Sequence, residues 1–145
     1  MKKLFFTLLV LFVLQASYAQ ILNPVKFSYS AIKKGNNQYE VHIKSMIEPK
    51  WHIYSVTNHE GGAEATEVKL EGVKTIGKVK ELGKMHTIYD KEFKMDQKFF
   101  ETTVDFVQVV GINNGTKKLH GSVTYMVCND RQCLPPKEVP FDIKL

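Results

Sequence analysis

The sequence predicts an all-β domain of antiparallel strands, and two observations carry that expectation. Apolar and polar residues alternate at period two through most of the chain beyond residue 24, and turn-forming clusters interrupt the alternation at short intervals. No stretch of about twelve residues holds a helical apolar period.

The elements can be taken in order. Val25-Lys26-Phe27-Ser28-Tyr29 alternates, and after a Lys34-Gly35-Asn36-Asn37 turn so does Tyr39-Glu40-Val41-His42-Ile43-Lys44. Trp51 to Val56 is a short segment rich in aromatic and β-branched residues, which favour a pleated, half-buried surface. Thr66 to Leu70 and Val73 to Val79 follow, separated at Gly72. Phe100 to Val110 sets Phe100, Thr102, Val104, Phe106 and Val110 on one face. Asn113-Asn114-Gly115 marks a tight turn, after which Leu119, Gly121, Val123, Tyr125 and Val127 alternate again. Val139, Phe141, Ile143 and Leu145 form the last period-two segment. About eight short strands in one domain-sized chain match an immunoglobulin-like antiparallel β-sandwich.

Two stretches read as loops. Residues 57–65 contain His59, Glu60, Gly61 and Gly62. Residues 83–96 look irregular but hold Met85, His86, Ile88, Tyr89 and Phe93, an unusual apolar load. Either this second stretch is another strand packing inward, or its apolar tip folds over something.

The N-terminus has the build of an export signal. Lys2 and Lys3 precede an apolar stretch from Leu4 to Leu14 broken only by Thr7, and Ser17-Tyr18-Ala19 offers small residues for cleavage. The apolar stretch falls short of the roughly 20 residues a spanning helix needs. The expected organisation is therefore a signal peptide over 1–19, cleaved near Ala19, and one domain over 20–145 that acts outside the cytoplasm without membrane insertion. The formal charge of +5 includes Lys2 and Lys3, and the other lysines are scattered among carboxylates with a single arginine, Arg131. Nucleic-acid binding would call for a concentrated basic stripe, so none is expected. Dispersed lysines instead suit exposed strand edges.

Only two cysteines occur, Cys128 and Cys133, with Asn129-Asp130-Arg131-Gln132 between them. Asn129 and Asp130 are turn formers, so the chain can reverse there and bring the two sulfurs within bonding distance. Outside the cytoplasm such a pair oxidises readily. A structural staple is one reading, but closing so small a ring stabilises by only about 2 kcal/mol on chain-entropy grounds. An exchangeable, redox-active pair is the other reading. Arg131 and Lys137 favour a thiolate nearby, and Asp130 opposes it.

The segment Tyr125-Met126-Val127-Cys128-Asn129-Asp130-Arg131-Gln132-Cys133-Leu134-Pro135-Pro136, followed by Val139-Pro140-Phe141, resembles the periplasmic N-terminal domain of DsbD thiol:disulfide interchange proteins. Trp51-His52-Ile53-Tyr54-Ser55 resembles that family's early aromatic strand, and Gly62 to Gly72 and Tyr89 to Val110 resemble its middle section. The resemblance implies an immunoglobulin-like fold whose cysteine pair passes electrons between proteins without a cofactor. It implies a thioredoxin-like electron donor and periplasmic disulfide-bearing acceptor proteins as partners. It assigns Cys133 to the mixed disulfide with partners and Cys128 to its resolution. It also implies a cap loop over the pair, here about His86 to Phe93, including Ile88 and Tyr89. At its tip, Ile88 beside Tyr89 stands where better-known relatives carry Phe. Full-length relatives continue into further domains, so the reductant is expected to be a separate protein. Tyr54, Tyr125 and Arg131 are candidates to flank the sulfurs, with core packing as the alternative role of both tyrosines.

Two other functions fit parts of the sequence. A non-catalytic immunoglobulin-like binding module with a structural disulfide would use the same strands and cysteines. Metal binding is not expected, because His42, His52, His59, His86 and His120 show no recognised ligand spacing.

Overall fold

Eight antiparallel strands carry the expected alternation into a curled, immunoglobulin-like sheet, in a computed structural model that describes residues 22–91 and 93–145. The strands are β1 (Val25–Gly35), β2 (Gln38–Ile47), β3 (His52–Tyr54), β4 (Glu67–Glu71), β5 (Lys74–Asp90), β6 (Met95–Gly111), β7 (Lys118–Cys128) and β8 (Cys133–Lys144). The hydrogen-bonded order is β1-β2-β6-β3-β7-β4, with β5 also paired to β6 and β8 also paired to β7. The signal-peptide expectation falls on residues outside those described. Among the described residues, no helix is long and apolar enough to cross a membrane.

The core sits where the curled sheet closes on itself. Val41 and Ile43 of β2 and Phe100, Val104, Phe106 and Val110 of β6 pack with Leu119, Val123 and Val127 of β7 and Phe141 and Ile143 of β8. These are the apolar halves of the alternating segments, so burial follows the period-two pattern. At Gly121 the strands approach closely: a Cβ there would lie 2.5 Å from the Lys69 carbonyl oxygen and 2.8 Å from the Phe141 ring. Only glycine lets β4 and β8 both close on β7 at this point.

Thr102 departs from the expected face. It is exposed, with φ of 68°, an unusual conformation for a β-branched residue. It lies between Glu101, which pairs with His52 of β3, and Thr103, which pairs with Met46 of β2. The irregular residue is thus where β6 changes partner, and the N-terminal half of β6 turns toward β3. Gly83 faces this bend from β5, where a Cβ would come within 2.9 Å of the Thr103 carbonyl oxygen.

The 83–96 stretch, for which the sequence left a strand and an apolar-tipped loop both open, is a strand hairpin and not irregular. Its residues extend β5 and begin β6, in register from Met85 opposite Phe100 to Asp90 opposite Met95. The alternation was unreadable because β5 from Gly83 to Asp90 is exposed or half-buried throughout, and the covered face opposite it is held by a polar residue, Gln97, which is 1% exposed and accepts from the Ala63 N–H. β8 likewise starts earlier than its alternation suggested, at Cys133, and runs through Pro135 and Pro136. It hydrogen-bonds only to β7, and such an edge strand tolerates residues without an N–H. Residues 57–65 lie outside the strands, as expected for a loop.

Candidate thiol–disulfide site

Cys128 closes β7 and Cys133 opens β8, opposite each other in register and joined by a disulfide. The four intervening residues are organised by Asn129. Its backbone N–H donates to the Gln132 carbonyl (2.9 Å), and its side-chain Oδ1 accepts from the N–H groups of Arg131 and Gln132, both at 2.9 Å. This is the turn chemistry that Asn offers through its short side-chain carbonyl. The two sulfur-bearing residues differ sharply in access. Cys128 is 2% exposed, whereas Cys133 and Arg131 lie at the surface.

Cross-strand register builds the surroundings of Cys128. Its partner on β3 is His52, and the partner of His52 on β6 is Glu101. Glu101, His52, Cys128 and Cys133 therefore form one row across β6, β3, β7 and β8, and paired residues in a sheet present their side chains on the same face. A second row joins His86 of β5, Phe99 of β6 and Tyr54 of β3. Its rings pack: His86 stacks on Phe99 with centroids 5.5 Å apart, and His52 lies 4.7 Å from the same ring. Tyr54 is buried with Cys128 and Ala63, and Phe99 and Met126 pack against that cluster.

These contacts set the protonation of the site. Burial pushes the His52 imidazole below its ordinary value, against the pull of the Glu101 and Asp130 carboxylates. Its Nε2 lies 3.3 Å from the Tyr54 hydroxyl. Burial, reinforced by Asp90, pushes the Tyr54 phenol up, so it stays protonated at neutral pH. Tyr54 is also held by its backbone, since Thr66 Oγ1 donates to its carbonyl. Just beyond, the Glu81 carboxylate accepts from Ser55 Oγ at 2.7 Å and from the Val56 N–H at 2.8 Å, fastening the chain that leaves β3 to β5.

The sequence-predicted residues fall into three places. Cys128, Cys133 and Tyr54 come together, with Arg131 exposed in the connecting turn. His86 joins them through Phe99, while Ile88, Tyr89 and Phe93 lie farther along the same hairpin, all exposed. The tip is closed by the Phe93 N–H donating to Asp90 Oδ1 at 3.2 Å. Tyr125 is placed in the main core instead, edge-on to Phe27 with centroids 5.0 Å apart. A groove of about 440 Å³, lined by Leu22, Pro24, Tyr125, Val127, Leu134 and Pro136 among others, runs along the residues that follow Cys133. Sequence reasoning did not single out His52, Phe99 or Glu101 for the site. The aromatic character of Trp51 to Tyr54 was visible, but the pairing of β3 with β7 was not.

Comparison with known proteins bears on this geometry. Residues 19–144 match the family described as thiol:disulfide interchange protein DsbD, N-terminal. Among solved structures, the reduced N-terminal domain of DsbD from Neisseria meningitidis superposes with a TM-score of 0.59 at 16% identity, covering 89% of this chain and 94% of that one. The DsbD N-terminal domain solved in complex with the PilB N-terminal domain, from the same organism, gives 0.56 at 14% identity, with coverage of 85% and 87%. The N-terminal periplasmic domain of ScsB from Proteus mirabilis gives 0.58 at 14% identity; the match covers 83% of this chain but only 45% of that structure. At these identities the likeness is one of fold. No curated protein matches the sequence.

Proposed function

The chain belongs to the DsbD N-terminal family of thiol:disulfide interchange proteins, and from that membership we propose that it relays electrons between redox proteins of the periplasm through Cys128 and Cys133. The observation that carries the reading is the unequal access of the two sulfurs on one tight hairpin. An exposed Cys133 can be reached by a partner protein, and a buried Cys128 directly opposite it in register can be reached only from within.

In the reduced state the Cys133 thiolate attacks a partner disulfide, and one partner sulfur leaves. Cys128 then attacks Cys133, releasing the reduced partner and restoring the Cys128–Cys133 bond. Recharging runs the same steps backwards with a reduced thioredoxin-like donor. No cofactor enters this chemistry. The tip of the β5–β6 hairpin, with Ile88, Tyr89 and Phe93, acts as the cap that limits access between encounters. Its exposed side chains give a partner an apolar surface to meet once the cap is engaged. The family relation supports the periplasmic placement, as does the N-terminal export signal.

The test is the reduction potential of the pair, obtained by equilibrating the protein with thiol redox buffers. A value between about −270 and −120 mV is expected for a relay. A value well below about −300 mV would mark a structural staple and return the domain to a non-catalytic binding role.

A further inference from the structure

We propose that His52 is the base that removes the proton from Cys128 when that sulfur resolves a mixed disulfide held on Cys133. The inference rests on the exchange reading above and assigns it a residue that the cysteine motif does not contain.

The step needs a base for a physical reason. A thiol is a weak nucleophile until ionised, and burial raises its pKa. Cys128 is almost wholly buried, and Arg131, the nearest cation in sequence, is exposed in the turn. The exposed Cys133 can lose its proton to water, whereas Cys128 must lose its proton to a neighbour.

The register supplies one. His52 is the direct cross-strand partner of Cys128, and such pairs stand about 4.5–5.5 Å apart at Cβ. The other groups facing the imidazole have different tasks. Tyr54, on the same strand, keeps its proton and provides a hydroxyl oxygen 3.3 Å from Nε2. With the proton of neutral His52 on Nε2 and donated to that oxygen, Nδ1 is the acceptor. Glu101 of β6 and Asp130 of the turn lie close enough to favour the imidazolium once it forms. Glu101 is one strand farther from the sulfur than His52, and His86, at 3.9 Å from Glu101, is behind Phe99. Asp90 acts on Tyr54. The row Glu101–His52–Cys128–Cys133 thus reads as carboxylate, imidazole, attacking thiol and attacked sulfur. Burial keeps the imidazole neutral into mildly acidic solution, so it is ready to accept.

The step balances. The Cys128 proton moves to Nδ1 as the Cys128 sulfur bonds to the Cys133 sulfur. The bond between Cys133 and the partner sulfur breaks, and the partner leaves as a thiolate with the electron pair. It is protonated by the imidazolium or by water, which returns His52 to its neutral form.

The experiment mixes the reduced protein with an aromatic nitrobenzoate disulfide whose leaving thiolate is coloured, and follows the release by stopped flow. The first equivalent reports attack by Cys133 and the second reports resolution by Cys128. In His52→Gln and in His52→Tyr, which keeps a ring against Phe99, the second phase should slow by roughly a hundredfold at neutral pH while the first is unchanged. In the wild type the second phase should fall away only in acid below the ordinary imidazole range, and the variants should lack that limb. A His52→Tyr protein that melts like the wild type and resolves at the wild-type rate overturns the assignment. So does equal slowing of both phases. A wild-type protein that releases neither equivalent overturns the exchange reading itself.

Discussion

The β7–β8 hairpin reverses within four residues, is closed by a disulfide, and has its turn bound by the Asn129 side chain. The β5–β6 hairpin has two arms of 17 residues each, pivots at Thr102, and ends in a tip bearing exposed Ile88, Tyr89 and Phe93. One is short and internally fastened. The other is long, and its end holds apolar side chains that the domain itself does not bury. Reacting sulfurs must keep a fixed separation, so they belong on the first. On the proposed relay, the cover that has to yield to partners is the end of the second, where Ile88, Tyr89 and Phe93 are exposed. β3 lies between them, paired to β6 on one side and β7 on the other, and carries His52 and Tyr54 into the gap.

The largest expected effect breaks the tight hairpin. Cys133→Ala and Cys128→Ala both remove the same small ring, a loss of about 2 kcal/mol in either case. Their chemistry should differ completely. Cys133→Ala should capture no partner, and Cys128→Ala should accumulate a stable mixed disulfide visible on a non-reducing gel. Equal capture by both would mean that the unequal burial of the sulfurs does not assign their roles.

The next effect addresses the long hairpin. Replacing Ile88, Tyr89 and Phe93 together with Ser removes exposed apolar surface, and each change should shift stability by no more than about 0.5 kcal/mol. Reduction of the disulfide by a small thiol such as dithiothreitol should become severalfold faster, because the tip no longer limits access. An unchanged rate with the small thiol would leave the tip no part in covering the pair.

What the sequence could and could not show follows from the same contrast. The eight strands were legible wherever one face is dry, as in β2 and β7, because burial forces the period-two pattern. The β5–β6 tip was not, since its β5 arm is largely exposed and the buried position opposite Ile88 is the polar Gln97, so burial there leaves no apolar alternation. The cysteine turn was legible from Asn129 and Asp130 between the two cysteines, and Asn129 is the one whose side chain binds it. The row through Glu101 and His52 was not, because it depends on the register of strands distant in sequence, and nothing local to Trp51–Tyr54 announces that β3 will pair with β7. Thr102 shows the limit from the other side: the alternation set it on one face with Phe100 and Val104, yet the strand changes partner there and the residue is exposed.

The smallest effect concerns the residue held between the two hairpins. One carboxylate acting on His52 comes from each, Glu101 from the long hairpin and Asp130 from the tight turn, and burial outweighs both. The folded imidazole therefore titrates below the ordinary value of 6.5, so between the two values the unfolded chain binds more protons than the native one. Stability from this group is complete above about pH 6.5 and is lost as pH falls through the folded value. Other titrating groups cancel if wild type and His52→Gln are compared by urea denaturation across pH 4–8. The wild type should lose stability relative to the variant on the acid side. The opposite slope would mean that Glu101 and Asp130 hold His52 as a cation, and a cation could not take the proton from Cys128.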